Sequence, residues 1–378
     1  MANQDKRFIG FWGVLFRLIN WLFILSLLIS YLAQWISPSL FWPIAFFGLA
    51  FPPLAIINLL FTVYWLFRRR KFFIYPLLAL LIGIPMISRF VQFGNNKEVV
   101  DISSPFKILT YNVHVFDQYH SKYGDKNYAR DGILNFLKQQ DADIYCFQEF
   151  YQRIGNTDMD NIALFKKTLN TPYSYCANYS PKSKYLYNVI LSKYPIEGKG
   201  IIGTTNKGTI SGIYSDISIN GSTIRIYSVH LRSFQISSEK DIIAMDFDLN
   251  SKEGQEKIKK SSIRMAQKFR RAFAARSKQI NSLKEHIASA TIPVMVVGDF
   301  NDTPSSYAYG QLRTQLEDSF MENGSGFGQT YIGPYPSFRI DYILHNATLR
   351  NYEYKTGHIK FSDHYPISGV FSADDIND

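Results

Sequence analysis

Apolar side chains are massed in the first quarter of this chain and broken into short runs thereafter. Between positions 8 and 36 the only charged residue is Arg17, and positions 40–67 and 72–88 carry no charge at all. About 20 apolar residues at roughly 1.5 Å each cross a hydrocarbon core. The pattern predicts an N-terminal membrane region over 1–93 with two or three transmembrane helices, at about 8–36, 40–67 and 72–93. The second is free to tilt or to bend at Pro52-Pro53. The third is shorter and holds Pro76 and Pro85, with Arg89 placed to snorkel at its far end. A cleaved signal peptide is a poor reading of the first segment, because the apolar stretch is too long and lacks a small-residue cleavage site.

Basic residues orient the helices. Lys6 and Arg7 precede the first, and Arg68-Arg69-Arg70-Lys71 separates the second from the third. The positive-inside rule puts both clusters in the cytoplasm. Three crossings of the cell (inner) membrane then leave the rest of this multi-pass protein extracytoplasmic; if the third segment lies in the interface instead, the rest is cytoplasmic.

Positions 94–105 are polar and read as a linker, and a new pattern starts at 106. Phe106-Lys-Ile-Leu-Thr-Tyr-Asn112, Asp143-Ile-Tyr-Cys-Phe-Gln-Glu149, Ile224-Arg-Ile-Tyr-Ser-Val-His230 and Pro293-Val-Met-Val-Val-Gly-Asp299 are β-branched or aromatic runs, each ending in a polar residue. Helical patterns such as 130–140 and 161–169 alternate with them, so 106–373 reads as one α/β domain.

Composition sharpens two points. The 16% aromatic and 19% charged contents are high and low for a soluble protein, and the N-terminal quarter accounts for both. The net charge of +10 is concentrated at 252–284, which holds eleven Lys or Arg against two Glu. There Ala266, Phe269, Phe273, Ile280, Leu283 and Ile287 follow helical spacing, so the segment predicts an amphipathic helix with a basic face, its apolar stripe interrupted by Arg276. That face is either a solvated surface or attracts anionic lipid or a polyanionic substrate. Cys146 reads as a buried core thiol, and nothing in the spacing supports a disulfide with Cys176.

The polar strand ends suit phosphate-ester hydrolysis, which needs a cation, a positioned base and donors for the phosphate oxygens. Glu149 and Asp363 are hard oxygen ligands for Mg²⁺ or Mn²⁺, Asp299 can orient or deprotonate water, and Asn112 and Asn301 can donate or complete the metal shell. His230 and His364 can carry protons near neutral pH.

Thr110-Tyr-Asn112, Gln148-Glu149, Tyr187-Asn-Val-Ile-Leu-Ser-Lys-Tyr-Pro-Ile196, Val229-His-Leu231, Gly298-Asp-Phe-Asn301, Arg339-Ile-Asp-Tyr-Ile343 and Ser362-Asp-His364 occur in the order found in one superfamily. Over 106–373 the chain resembles the endonuclease/exonuclease/phosphatase superfamily, which includes deoxyribonuclease-like nucleases, abasic-site endonucleases, neutral sphingomyelinases and inositol polyphosphate phosphatases. The resemblance implies a four-layer α/β sandwich of two packed mixed β-sheets flanked by helices. It implies that Glu149 binds the metal with Asn112 and Asp363 near it, that Asp299 aligns water, and that Asn301 and His230 contact the phosphate. Asp341 then orients His364, which contacts the scissile phosphate or acts as base, and Asn188 falls among the substrate-binding positions. Two departures stand out: Phe150-Tyr151-Gln152 follows Gln-Glu, unlike abasic-site enzymes, and the interval from His230 to Asp299 is long. The expected activity is that of a membrane-anchored, Mg²⁺- or Mn²⁺-dependent phosphoesterase, with lipid headgroup or nucleic acid undecided as substrate and no protein partner inferred. The alternatives are an extracytoplasmic nuclease and a non-catalytic membrane binding module retaining the fold.

Overall fold

A computed structural model describes residues 11–94, 104–117, 127–153, 160–179, 185–204, 209–234, 252–333 and 338–372. The basic pair Lys6-Arg7, most of the linker at 94–105 and the stretch 237–249 lie outside the described residues.

The N-terminal region is a bundle of α1 (Phe11–Leu32), α2 (Ile44–Leu49), α3 (Phe51–Phe67), α4 (Ile74–Ile82) and α5 (Ile84–Ile87). The continuous run expected at 40–67 is broken at Ala50, and α3 starts with Pro52 in its first turn. Proline is well placed there, since the first amides of a helix have no acceptor in any case. Ile24, Leu27, Phe51, Leu54, Ala79 and Leu80 form the bundle's interior. Polar groups inside it pair across helices: Trp65 Nε1 donates to Asn20 Oδ1 at 2.8 Å, and Asn58 Nδ2 to the Phe23 carbonyl at 3.0 Å. The outer face is apolar as well, with Trp12, Leu22, Leu60 and Ile82 all exposed. Trp12–Leu32 is long and apolar enough to cross a membrane; Phe51–Phe67 and Lys71–Ile82 are shorter apolar helices.

After β1 (Gln92–Phe93) the chain enters the α/β domain, with β2 (Phe106–Asn112), α6 (Tyr128–Gln140), β3 (Ile144–Tyr151), α7 (Asn161–Thr168), β4 (Tyr173–Asn178), β5 (Leu186–Ser192), β6 (Ile196–Thr204), β7 (Ile210–Ile219) and β8 (Ser222–His230). There follow α8 (Lys252–Ala288), β9 (Val294–Asp299), α9 (Tyr307–Leu312), β10 (Glu317–Asp318), α10 (Ser319–Asn323), β11 (Ser325–Gly326), β12 (Asp341–His345), β13 (Arg350–Thr356) and β14 (Ile367–Ser372). One sheet has the order β10-β12-β9-β8-β7-β6 and the other β13-β14-β2-β3-β5-β4, while β1 and β11 make a separate two-stranded ribbon. Both large sheets are mixed: β2 and β3 run parallel, as do β8 and β9, and the remaining pairs are antiparallel.

Alternation along each strand builds the layers. Ile108, Ile144, Cys146 and Ile190 of one sheet meet Ile213, Ile226, Val297 and Ile343 of the other in the central core. The opposite faces, through Leu109, Tyr145 and Val189, pack on Ile133, Leu137 and Phe165 of α6 and α7. Tyr227, Val296 and Leu344 likewise pack on Ile280, Leu283 and Leu312 of α8 and α9. The architecture is therefore two mixed β-sheets flanked by helices. Cys146 and Cys176 are free thiols, the first fully buried.

The two parallel pairs fix where chemistry can occur. A parallel pair needs a crossover, here α6 and α8, and both of its strands end on the same edge. Asn112 ends β2 opposite Gln148, which lies inside β3 and not at its end as the sequence suggested, and His230 is opposite Asp299 at the ends of β8 and β9. Asp341 opens β12 opposite Asp299.

Candidate active site

The strand ends enclose a cavity of about 460 Å³ whose lining includes Asn112, Glu149, Asp299, Asn301, Asp363 and His364. Glu149 reaches it through a backbone irregularity. The β3–β5 ladder shifts register between Phe147 and Phe150, and Glu149 lies in the left-handed region at φ 51°. Gln148 inside the same bulge ties the sheets together, donating from Nε2 to Thr110 Oγ1 and to Ser228 Oγ, both at 3.1 Å. Gly298 is required beside it: at φ 125°, a Cβ there would sit 2.3 Å from the Val229 carbonyl oxygen and 2.9 Å from Gln148 Nε2.

Asp299 is the hub. Its Oδ1 accepts from the Asn301 amide at 2.7 Å, and its Oδ2 accepts from Asn112 Nδ2 at 3.0 Å and Asn301 Nδ2 at 2.9 Å. Burial pushes its pKa up to about 6 against the pull of His364 and His230. Asn301 Nδ2 also donates to the Leu231 carbonyl at 3.1 Å, so both its amide protons are committed within the protein. His230 Nε2 lies 3.5 Å from Glu149 Oε1 and 3.7 Å from Asp299 Oδ2. Neither ring nitrogen of His230 has a hydrogen-bond partner among the described residues, and burial lowers its pKa.

His364 and Asp341 form a second unit. His364 Nδ1 and Asp341 Oδ2 are 2.8 Å apart, and His364 Nε2 points toward Asp299 Oδ2 at 3.8 Å. Burial opposes the imidazolium, but Asp341 and Asp299 outweigh it and hold the His364 pKa well above the ordinary value. The Asp341 amide and that of Ile340 both donate to Thr330 Oγ1, fixing the start of β12. Asp341 Oδ1 has no partner among the described residues.

Two groups could hold a cation. Ligand atoms of Asp299, Asp341 and His364 lie within 4.8 Å of one another. In that group, however, one Asp341 oxygen and one His364 nitrogen already satisfy each other. Glu149 and Asp363 are different: both carboxylates are partly exposed, at 25% and 30%, and face the same cavity. Burial raises the Glu149 pKa, and the Asp363 charge adds to this against the pull of His114 and His364. Two carboxylates sharing a partly desolvated space suit a hard divalent cation, so the residues present fit a metal.

Six of the nine expected site residues line the cavity, and His230 and Asp341 lie against Asp299 and His364 without lining it. Asn188 does not line the cavity either: it is fully buried in β5 opposite the Glu149 bulge, with neither amide atom partnered among the described residues. Other contributors are invisible to strand-end reasoning. His114 begins a left-handed turn that runs to Asp117 at φ of 42 to 55°, and its amide donates to Asn112 Oδ1 at 3.1 Å. Ser362 Oγ donates to the Asn112 carbonyl at 2.7 Å. Arg276, which interrupts the apolar stripe of α8, is buried, with Nε 2.9 Å from Asp302 Oδ2 and Nη1 2.7 Å from the Arg232 carbonyl.

Carboxylates, amides and imidazoles converging on one cavity are the equipment of a hydrolase acting on phosphate esters. Residues 109–364 match the model of the Endonuclease/Exonuclease/phosphatase family, and the chain belongs to that family of phosphoesterases, which typically depend on a divalent metal. Residues 13–90 match a Domain of unknown function (DUF8431). Among solved structures, an endonuclease/exonuclease/phosphatase family protein from Leptotrichia buccalis shares 17% identity over 71% of this chain and 99% of its own, with a TM-score of 0.50. The TDP2 of D. rerio humanized by 14 mutations shares 17% identity over 71% of this chain and 100% of its own, with a TM-score of 0.49. An endonuclease/exonuclease/phosphatase from Bacteroides vulgatus shares 16% identity over 71% of this chain and 98% of its own, with a TM-score of 0.48. At such identities the likeness bears on the fold alone. No curated protein matches the chain.

Proposed function

We propose that this chain is a membrane-anchored, divalent-metal-dependent phosphoesterase in which water attacks phosphorus in line with the leaving oxygen. The observation that carries this reading is the meeting of Glu149 and Asp363 with the Asp299 hub on one cavity. Magnesium or manganese would be held by Glu149 and Asp363 with Asn112 beside them, supplying positive charge to the phosphate oxygens. Asp299, fixed by Asn112 and Asn301, aligns the water. As oxygen bonds to phosphorus and the ester P–O bond breaks, the water's proton passes to the Asp299 carboxylate, beside which His364 is held protonated, and the leaving oxygen takes up a proton from solvent. His230 is free to donate to a phosphate oxygen. Asp341 keeps His364 Nε2 directed at Asp299. With its two protons committed, Asn301 acts mainly by positioning Asp299. Asn188, opposite the bulge and with both amide atoms unpartnered among the described residues, is assigned to substrate binding by its motif.

Anchoring is supported by the apolar outer face of the bundle, which water would solvate poorly and lipid would accept. We assign 1–93 to the membrane region, 94–105 to a linker and 106–373 to the catalytic domain. The nuclease alternative rests on α8, where Lys259, Lys260, Arg264, Arg270, Arg271 and Lys278 are exposed. The full chain in detergent is expected to hydrolyse bis-p-nitrophenyl phosphate with Mg²⁺ or Mn²⁺ and to stop with EDTA. Glu149→Gln and Asp299→Asn should each lower kcat by roughly 100-fold or more. Unchanged turnover in either variant refutes the assignment.

A further inference from the structure

The catalytic cavity is of mixed character. Beside the carboxylates, amides and imidazoles already described, its lining includes the apolar side chains Leu49, Phe234, Phe269, Phe338 and Ile340. Leu49 belongs to α2 of the N-terminal bundle, so a segment flanked by apolar helices closes part of the site. It is held there firmly. Phe46 packs on Phe269 and Phe273 with ring centroids 5.1 and 5.4 Å apart, and Ser305 Oγ donates to the Gly48 carbonyl at 2.7 Å.

We infer that the substrate is an amphiphile drawn from the bilayer, a phosphate ester whose phosphate meets the polar groups while its hydrocarbon chain lies along the apolar side chains supplied by bundle and domain. This rests on the phosphoesterase reading. Three features favour it. Leu49, Phe234, Phe269 and Phe338 are only half-buried, leaving apolar surface for an alkyl chain to cover. No Lys or Arg is among the described residues that line the cavity, whereas a nucleic acid needs cations along its backbone. Arg276 lies close by, but Asp302 neutralises it. Finally, the same junction shows Trp35, Leu40, Phe41 and Phe93 to the outside, 59%, 86%, 52% and 98% exposed. Aromatic side chains in such positions settle at the membrane–water boundary.

The test is a series of n-alkyl 4-nitrophenyl phosphodiesters with chains of increasing length, given to the full protein in nonionic detergent with Mg²⁺. Release of nitrophenolate reports cleavage of its P–O bond as water oxygen bonds to phosphorus. We expect kcat/KM to rise by about threefold per methylene over the first several carbons. Leu49→Gln and Phe269→Ser should each flatten that rise, which partition into micelles alone could not explain. Oligonucleotides at equal phosphate concentration should be poorer substrates than the longer alkyl esters. A flat series, an unaltered slope in both variants, or preferred turnover of DNA or RNA overturns the amphiphile assignment and leaves the phosphoesterase reading standing. Absence of EDTA-sensitive cleavage of every ester overturns both.

Discussion

At Glu149 the β3 ladder slips by one residue, and a left-handed φ of 51° turns a strand residue toward the cavity. Such backbone geometry costs on the order of 1–3 kcal/mol and persists only where the surroundings enforce it, here through Gln148 bonded into both sheets. Asp341 shows the same logic in a side chain. Replacing it with Asn removes the charge that fixes the ring of His364, so Asp341→Asn is expected to lower kcat on the order of 100-fold or more while KM changes little. Steady-state kinetics on bis-p-nitrophenyl phosphate decide this, and a raised KM with kcat unchanged would indicate a binding role. These residues were legible in the sequence because an acidic or amide side chain ending an apolar run is a recognisable local signal. His114 was not, because its place depends on a left-handed turn that non-glycine residues do not advertise, and the Asp302 partner of Arg276 was not, because tertiary packing brings the two together. Asn188 shares the inter-sheet face of β5 with Ile190, and its distance from the cavity lining reflects its depth along the strand, which motif order does not encode.

Elements follow the same division. The helices at Tyr128–Gln140 and Asn161–Thr168 were readable from periodicity, as was α8, whose Phe273, Ile280, Leu283 and Ile287 are buried. The break at Ala50 was legible only as a possible bend at Pro52-Pro53, since apolarity alone cannot tell one helix from two. The corner of β10 and α10 was hidden. Asp318 caps α10, accepting from the Phe320 amide at 3.0 Å, and takes two bonds from Arg339 at 3.2 and 2.8 Å. Both partners are buried, and Arg339 also donates to the Arg89 carbonyl at 2.9 Å, tying the corner to the end of the bundle. Burial alone would raise the Asp318 pKa, but Arg339 outweighs it and holds the carboxyl below its ordinary value of 3.8. A depressed carboxylate pKa adds stability that is fully present above the unfolded-state value and is lost as pH falls through the folded-state value. Asp318→Asn is therefore expected to cost about 3 kcal/mol at pH 7, because a buried guanidinium loses its partner. Its melting temperature should also decline less steeply than the wild type's below pH about 4. Parallel acid-melting curves for the two proteins would remove the ion pair from this account.

Among the described residues, the bundle meets the catalytic domain at one end. Ser39 Oγ bonds to Ser277 Oγ at 2.6 Å, Gly48 to Ser305, and Arg89 Nη1 to the Pro304 carbonyl at 3.3 Å, all from the ends of helices that gather beside Tyr31. Tyr31 itself donates to the Ala79 carbonyl at 2.9 Å and packs at a tilt on Phe51, ring centroids 5.9 Å apart. The opposite end brings the start of α1 to the end of α3, with the Arg17 guanidinium 6.0 Å from the Trp65 ring and 5.7 Å from Phe72. Arg68, Arg69, Arg70 and Lys71 sit at that far end. If the positive-inside rule holds this cluster in the cytoplasm, α1, α3 and the α4–α5 pair run through the membrane in alternating directions and the catalytic domain emerges on the other side. The helices are short for three crossings: at about 1.5 Å per residue, α3 spans roughly 25 Å. Thinning of the bilayer or snorkelling of the flanking arginines accommodates a difference of that size. Bacterial alkaline phosphatase, which folds only where disulfides form, is therefore expected to be active when fused after Asp378, and green fluorescent protein at the same place to be dark when exported unfolded. The reverse pattern would put the domain in the cytoplasm, leave α4–α5 lying in the interface, and restrict the cavity beside Leu49 to substrates of the inner leaflet.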